Sequence, residues 1–161
     1  MPDQLQKYHF DAYTSPELKA IAPEEPVIIL PVGAMEQHGP HLPIRTDAEL
    51  GYKVGLEFAK HSSLTTLVLP SVWGGFSHHH MNFFGTISIS QQALFLYVQD
   101  ILNSLAVHGL KNIVLLNSHG GNTNLLKTVV DEVSQNQSLQ LIYFSYWNLI
   151  KDHIDDIRES S

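Results

Sequence analysis

Two stretches of this chain place carboxylates and imidazoles directly after apolar runs. Glu36, His38 and Asp47 follow the first run, and His119 follows the second. Because the chain contains no cysteine, a metal would be held by oxygen and imidazole ligands, a set that suits Zn, Mn, Fe or a related divalent ion. The two stretches together predict a site for one metal ion or for a pair of ions.

Each of these residues also has an ordinary structural explanation. Glu36 and His38 are two residues apart, so in extended backbone both side chains leave the same side, but a loop glutamate and histidine are more often solvated than bound to metal. Asp47 would be favoured in the first turn of a helix by the helix dipole alone. The combination with His119 favours metal binding over these separate explanations.

The second stretch reads His119-Gly120-Gly121-Asn122. It could be a plain strand-to-helix turn, in which the glycines supply unusual backbone angles and Asn122 caps the next helix. The glycines would also let a substrate approach the backbone, which a side chain would block. We therefore predict that Gly120 and Gly121 contact the substrate, and both explanations can hold together.

A third stretch, between residues 71 and 86, is rich in glycine and histidine and is long for a loop, which is typical of a functional segment. The consecutive residues His78, His79 and His80 cannot all face one ion in regular backbone, so we expect one of them to point inward. We predict that His80 begins a substrate-facing segment. Trp73 and Phe76 are candidate pocket walls, with packing in a core or an interface as the alternative.

Apolar periodicity predicts the elements that would position these residues. Continuous apolar runs predict strands at 27–31, 65–69, 113–116 and 139–144, and amphipathic spacing predicts helices at 46–60, 90–109 and 123–135, with a short helix from Ser15. Thr46 and Glu49 have the pattern of a capping box, while Ser90 and Gly109 mark the start and stop of another helix.

Strands that alternate with helices predict an α/β fold with a parallel or mostly parallel sheet. In such sheets the ligand site lies beyond the carboxyl ends of the strands. Glu36, His38 and His119 all follow predicted strands, so the sequence places them where a site is expected.

Length and composition predict one soluble domain over residues 1–161. A hydrophobic content of 43% and a charged content of 16% argue against disorder. No apolar run approaches the roughly 20 residues that span a bilayer, and no secretory signal is visible, so we expect a cytoplasmic protein. The net charge of -7, without a basic patch, disfavours nucleic-acid and membrane partners.

The residues resemble the creatininase (creatinine amidohydrolase) family in three blocks. These blocks are Leu30 to Pro43 with Thr46-Asp47, then His80 to Thr86, then Asn117 to Asn122. The resemblance implies a three-layer α/β/α sandwich with a mostly parallel sheet. It also implies a homo-oligomer, often a hexamer, whose subunits each hold two divalent metal ions.

Position by position, the resemblance implies that Glu36 and His119 bind one metal ion, that His38 binds the other and that Asp47 bridges both. Family members hydrolyse small cyclic or linear amides, and some cleave peptides. The implied chemistry is cleavage of a C–N amide bond by a metal-bound hydroxide, with the oxyanion stabilised by the metals.

The chain departs from the family pattern at one ligand position. Creatininase itself has a glutamate ligand two residues after the metal-binding histidine, where this sequence has Gly121. Relatives with His-Gly-Gly-Asn supply that glutamate, and a histidine implicated in proton transfer, from a later segment that has no match after Asn122. We therefore expect a truncated or fragmentary family member whose proton-transfer histidine lies outside this chain. Five later carboxylates could substitute for the missing glutamate ligand, although side chains of this kind more often form a solvated helix face. They are Glu132, Asp152, Asp155, Asp156 and Glu159.

Three functions compete on this evidence. The first is a metal-dependent amidohydrolase acting on a small-molecule amide. The alternative is a non-catalytic or truncated family member that binds metal or serves as a subunit of an oligomer. A flavodoxin-like nucleotide domain is disfavoured, because no Gly-x-Gly-x-x-Gly or phosphate loop follows any strand.

Overall fold

Four apolar segments form one parallel sheet in the computed structural model, which describes residues 6–136 and 139–157. The strands are β1 (Val27–Val32), β2 (Thr66–Val68), β3 (Asn112–Asn117) and β4 (Gln140–Ser145). Their order across the sheet is β2-β1-β3-β4, and every neighbouring pair is parallel. Each predicted strand is present, with its ends within one residue of the predicted positions.

Of the six α-helices in the described residues, four were predicted, and the two short ones that follow β4 were not. They are α1 (Ser15–Ile21), α2 (Thr46–His61), α3 (Gln91–Val107), α4 (Thr123–Asn136), α5 (Tyr146–Leu149) and α6 (Ile154–Ile157). The Ser90 hydroxyl caps α3 by accepting from the amide of Ala93, and Gly109 has a φ of 78° just beyond the helix, as predicted. Helices α5 and α6 were missed because four residues carry no apolar period.

The core lies on both faces of the sheet, because successive strand residues point to opposite sides. On one face Ile28 packs with Leu102 of α3 and Leu126 of α4. On the other face Ile29 packs with Ala59 of α2. The fold is therefore a three-layer α/β/α sandwich with a parallel sheet, as the resemblance implied. Within the described residues, every helix is too short or too polar to span a bilayer.

Helix α2 packs on the sheet through small residues rather than through the large ones whose spacing predicted it. Leu50 and Phe58 remain 39% and 48% exposed, whereas the buried side carries alanines and glycines such as Gly51. A Cβ atom at Gly51 would collide with the hydroxyl of Ser118, which follows β3. The close approach that glycine permits places the first turn of α2, with Asp47, beside the ends of β1 and β3.

The start of α2 differs from the predicted capping box. Arg45 is the N-cap residue, without a side-chain cap from any described residue. The Thr46 hydroxyl donates to the carbonyl oxygen of Pro43 at 2.6 Å, and Glu49 pairs with Arg45 at 3.4 Å. The capping box was therefore wrong, because both of its members find other partners. Asp47 does lie in the first turn, as predicted.

A substitution at Gly33, which follows β1, tests the close packing of α2 against the end of this strand. A Cβ atom there would lie 2.5 Å from Cα and 2.6 Å from N of Ala48. Because backbone atoms cannot rotate away, we expect Gly33→Ala to lower the free energy of unfolding by about 1–3 kcal/mol, the usual cost of overpacking. Chemical denaturation measures this, with Gly74→Ala as the control, since a Cβ there would meet Ile89 at an ordinary 3.6 Å. Equal stability of the two variants would contradict the packing described.

Candidate metal centre

The polar residues that follow β1, β3 and β4 meet in an open cleft at the carboxyl edge of the sheet, where ligand sites of α/β folds are expected. The cleft has a volume of about 590 Å³. All four residues predicted to bind metal line it, as do both glycines predicted to contact substrate. The full lining is Glu36, His38, Asp47, His79, Ser118, His119, Gly120, Gly121, Tyr146 and Trp147.

Asp47 presents its two oxygens to two different imidazoles. Its Oδ1 lies 2.9 Å from Nε2 of His38, and its Oδ2 lies 2.9 Å from Nδ1 of His119. The same Nδ1 of His119 is 3.4 Å from Oε1 of Glu36. Glu36, Asp47 and His119 are all buried. One carboxylate in the first turn of α2 therefore joins the loops that follow β1 and β3.

In both His38 and His119, the ring nitrogen on the far side from Asp47 forms a hydrogen bond with a backbone carbonyl oxygen. Nδ1 of His38 lies 3.1 Å from the carbonyl oxygen of Glu36, and Nε2 of His119 lies 3.1 Å from that of Phe76. A carbonyl oxygen only accepts, so these nitrogens carry the hydrogen. In the neutral rings, Nε2 of His38 and Nδ1 of His119 then bear lone pairs that face carboxylate oxygens. Each contact requires a positive charge between the two groups, either a proton or a metal ion.

The donor set fits a metal ion. Glu36, His38 and Asp47 each offer one ligand atom, and these three atoms lie within 4.8 Å of one another. Oε2 of Glu36 is buried and has no hydrogen bond to any described residue, although Nδ1 of His80 lies 3.1 Å away in an unsuitable geometry. Burying a carboxylate oxygen without a partner is costly, and a bound cation would supply one.

A proton is the alternative occupant beside His119. Burial lowers the pKa of this imidazole, but the hydrogen bond to Asp47, the charge of Glu36 and the bond to the Phe76 carbonyl together raise the pKa above its usual 6.5. Metal binding needs the deprotonated ring, so proton and cation compete for the same lone pair.

A serine nucleophile does not fit this geometry. Oγ of Ser77 lies 3.3 Å from Nε2 of His119, whose other nitrogen contacts Asp47, as in a Ser-His-Asp arrangement. However, Ser77 is 0% exposed, and the Nε2 hydrogen is directed to the carbonyl of Phe76. His119 therefore has no lone pair on that side with which to take the serine proton.

Asn122 joins three of the loops around the cleft. Its side chain is fully buried; Nδ2 donates to the carbonyl oxygen of Gly33 at 2.9 Å, and Oδ1 accepts from the amide of Phe76 at 3.0 Å. The sequence offers Asn122 as a possible cap of α4; in the structure its side-chain amide holds the backbone of Phe76, whose carbonyl oxygen accepts from Nε2 of His119. Sequence reasoning missed this positioning role, because the partners are backbone atoms of distant loops.

The histidine run contributes two residues to the site rather than one. His78–His80 forms a single 3₁₀ turn, in which successive side chains are about 120° apart. The ring of His79 stacks on that of His119, and Nδ1 of His80 faces Glu36. The expectation of a single inward histidine is wrong for this reason. The described lining of the cleft includes His79 but not His80, so substrate contact by His80 stays a prediction.

The aromatic wall of the cleft comes from α5. Tyr146 and Trp147 line it, with ring centroids 5.3 Å apart in an edge-to-face arrangement. Burial and the charge of Asp47 raise the pKa of the Tyr146 hydroxyl. Among the described residues, the lining includes neither Trp73 nor Phe76, so of the two explanations given for them this cleft favours packing in a core or an interface. The sequence feature that could have identified this wall is the position of Tyr146 directly after strand β4.

No described carboxylate replaces the ligand that Gly121 leaves out. A Cβ atom at Gly121 would collide with the carbonyl oxygen of Phe76 and with Nε2 of His119, so the backbone leaves no space for a side chain. The side chains of Asp155 and Glu159 lie outside the described residues. The remaining candidates are exposed and belong to no ligand cluster in residues 6–136 and 139–157; they are Glu132, Asp152 and Asp156.

Comparison with known proteins places similar sequences among hydrolases. The family model described as "Creatininase: Creatinine amidohydrolase" matches residues 11–160. The creatinine amidohydrolase of Pseudomonas putida is 32% identical over 143 residues, which is 82% of this chain and 54% of that protein. A mycofactocin precursor peptide peptidase of Mycobacterium ulcerans (strain Agy99) is 37% identical over 115 residues, which is 67% of this chain and 46% of that protein. The chain spans about half the length of these curated relatives.

Solved structures share the fold over most of the chain. A crystal structure of creatinine amidohydrolase (creatininase) has a TM-score of 0.85 and 29% identity, covering 97% of this chain and 65% of that chain. A structure described as "Creatininase Mn" has a TM-score of 0.83 and 30% identity, covering 91% and 61%. A mutant creatininase described as Zn-Zn type has a TM-score of 0.80 and 31% identity, covering 91% and 60%.

In chelator-treated protein, the proton on His119 should make the free energy of unfolding depend on pH, which tests the described surroundings of this residue. Because the folded-state pKa is raised above 6.5, the proton stabilises the fold fully below the unfolded value, and that stabilisation is lost as the pH rises through the folded value. We expect the free-energy difference between wild type and His119→Gln to shrink as the pH is raised from below 6.5. Urea denaturation over a pH series measures it. A difference that grows with pH would contradict the described surroundings of His119.

Proposed function

Because this chain belongs to the creatininase family, we propose that it is a metal-dependent hydrolase that cleaves a C–N amide bond in a small cyclic or linear amide. Relatives named creatinine amidohydrolase and mycofactocin precursor peptide peptidase support hydrolysis of this bond. The arrangement around Asp47 carries the proposal, since the lone pairs of His38 and His119 face its two oxygens.

Two divalent ions per chain account best for this arrangement, with Asp47 as the bridge. Glu36 and His119 would hold one ion together with Oδ2 of Asp47, and His38 would hold the other together with Oδ1. The carbonyl bonds to the far side of each imidazole support these roles, because they fix the ring tautomer that a metal needs. Oxygen and imidazole donors suit Zn, Mn or Fe.

The residues around these positions would bind and orient an amide. When bound, divalent cations would polarise the amide carbonyl and lower the pKa of a water molecule. A Cβ atom at Gly120 would meet no described atom within 4 Å, so the cleft has room for substrate beside His119. Tyr146 would offer a hydroxyl that its raised pKa keeps protonated, and Trp147 an apolar wall. We also assign substrate contact to Gly121 and to His80, beside Glu36.

The chain is also proposed to form a homo-oligomer in the cytoplasm, without nucleic-acid or membrane partners. The loop from Met81 to Ile87 exposes several large apolar side chains, including a fully exposed Phe84 and a half-exposed Phe83. Contiguous apolar exposure of this kind is typical of protein interfaces. Light scattering should give a mass of more than one chain, and a monomer at all concentrations would contradict this assembly.

Metal content tests the proposed function directly. We expect close to two Zn or Mn ions per wild-type chain after dialysis, and hydrolysis of at least one member of a panel of creatinine, formamides and short peptides. In Asp47→Asn one shared ligand oxygen is lost, so metal affinity should fall by more than about tenfold, since even outer-shell partners of metal sites contribute about 10- to 100-fold. Elemental analysis and competition with a chelator measure both.

The matched control is Glu57→Gln, which neutralises an exposed carboxylate of the same helix, paired with Lys60 at 2.6 Å. This variant should keep the wild-type metal content and activity. Wild-type protein that binds no metal, or an Asp47→Asn variant that binds it as Glu57→Gln does, would contradict the proposal.

A further inference from the structure

We propose that His79 is a ligand of the metal ion held by Glu36 and His119. The inference rests on the metal centre of the proposed function. It assigns a role to His79, which lines the cleft and to which neither the sequence analysis nor the family resemblance gave an individual role.

The positions of three ligand atoms carry the assignment. Glu36, His79 and His119 each offer one, and the three atoms lie within 4.8 Å of one another. The ring of His79 stacks nearly parallel on that of His119, with centroids 5.9 Å apart and planes at 11°. Oε2 of Glu36 is buried without a hydrogen bond to any described residue. This cluster therefore joins two imidazoles to a carboxylate that still has an unsatisfied oxygen.

The contacts of Phe76 fix the loop that carries His79 beside His119. A side chain at Gly121 would collide with the carbonyl oxygen of Phe76, which itself accepts from Nε2 of His119. Asn122 holds the amide of Phe76, so this carbonyl cannot move aside without breaking both bonds. The loop that excludes a ligand at Gly121 is the same loop that, three residues after Phe76, brings His79 over His119.

The neighbouring histidines do not meet the same requirements. The ring of His78 stacks on Phe76 with centroids 6.5 Å apart, and within the described chain His78 belongs to neither ligand cluster. Nδ1 of His80 approaches Glu36, but within the described chain His80 is a member of neither ligand cluster, and its ring packs edge-on against Phe83. His78 is therefore a suitable control position beside His79.

A second imidazole ligand beside His119 sets the metal preference of this position. Imidazole ligands suit Zn, whereas carboxylates suit Mn. A position held by Glu36, His79 and His119, together with Asp47, should prefer Zn over Mn more strongly than a carboxylate-richer set. His79→Asp puts a carboxylate in place of this imidazole, so it should shift the preference toward Mn.

Chelator competition on the full chain tests the assignment. His79→Ala should weaken Zn binding at one of two sites by at least about tenfold, whereas His78→Ala should bind Zn as the wild type does. The visible absorption of the cobalt-substituted protein should change in His79→Ala and stay unchanged in His78→Ala. His79→Asp should recover binding, with a lower ratio of Zn to Mn affinity than the wild type.

The outcomes separate this assignment from the proposed function. If Glu36→Gln loses metal while His79→Ala keeps the wild-type affinity and cobalt spectrum, His79 is not a ligand and the metal centre itself stands. If the wild type binds neither Zn nor Co, the proposed function and the assignment fail together. An unchanged Zn to Mn ratio in His79→Asp would also overturn the assignment.

Discussion

The structure depends on the position of Asp47 between two imidazoles. The tautomer of each ring is fixed by a hydrogen bond from its far nitrogen to a backbone carbonyl oxygen. The carbonyl oxygens of Glu36 and Phe76 each take the hydrogen of one ring, so the lone pairs of His38 and His119 face a buried carboxylate. Two lone pairs and an anion at 2.9 Å repel one another unless a positive charge lies between them. A proton on His119, whose pKa is raised, would supply this positive charge. A bound metal ion would supply it equally.

The surrounding fold brings the two imidazoles and the carboxylate together from distant parts of the chain. Parallel strands β1 and β3 end side by side, so the loops that carry His38 and His119 start from one edge of the sheet. Helix α2 brings Asp47 to that edge because Gly33 and Gly51 let its backbone approach the strands. Asn122 then ties the loop after β2 to both others, which sets the carbonyl behind His119.

The sequence could predict much of this arrangement and not all of it. The apolar runs locate the strands, and position after a strand is enough to bring Glu36, His38 and His119 to one edge. The carbonyl partners are backbone atoms of loops, and no residue type encodes them. The buried side of α2 was hidden because close packing there selects glycine and alanine, which leave no amphipathic signal. His79 was missed because a single 3₁₀ turn has no period, and the wall at Trp147 because four helical residues have none either.

Anomalous diffraction from crystals grown with Zn tests the account most directly. We expect two anomalous peaks flanking Asp47, one beside Nε2 of His38 and the other beside Nδ1 of His119 and the carboxylate of Glu36. Crystals without a peak at either place, or with zinc bound only elsewhere on the molecule, would contradict the central claim that this carboxylate is the bridge of a metal centre.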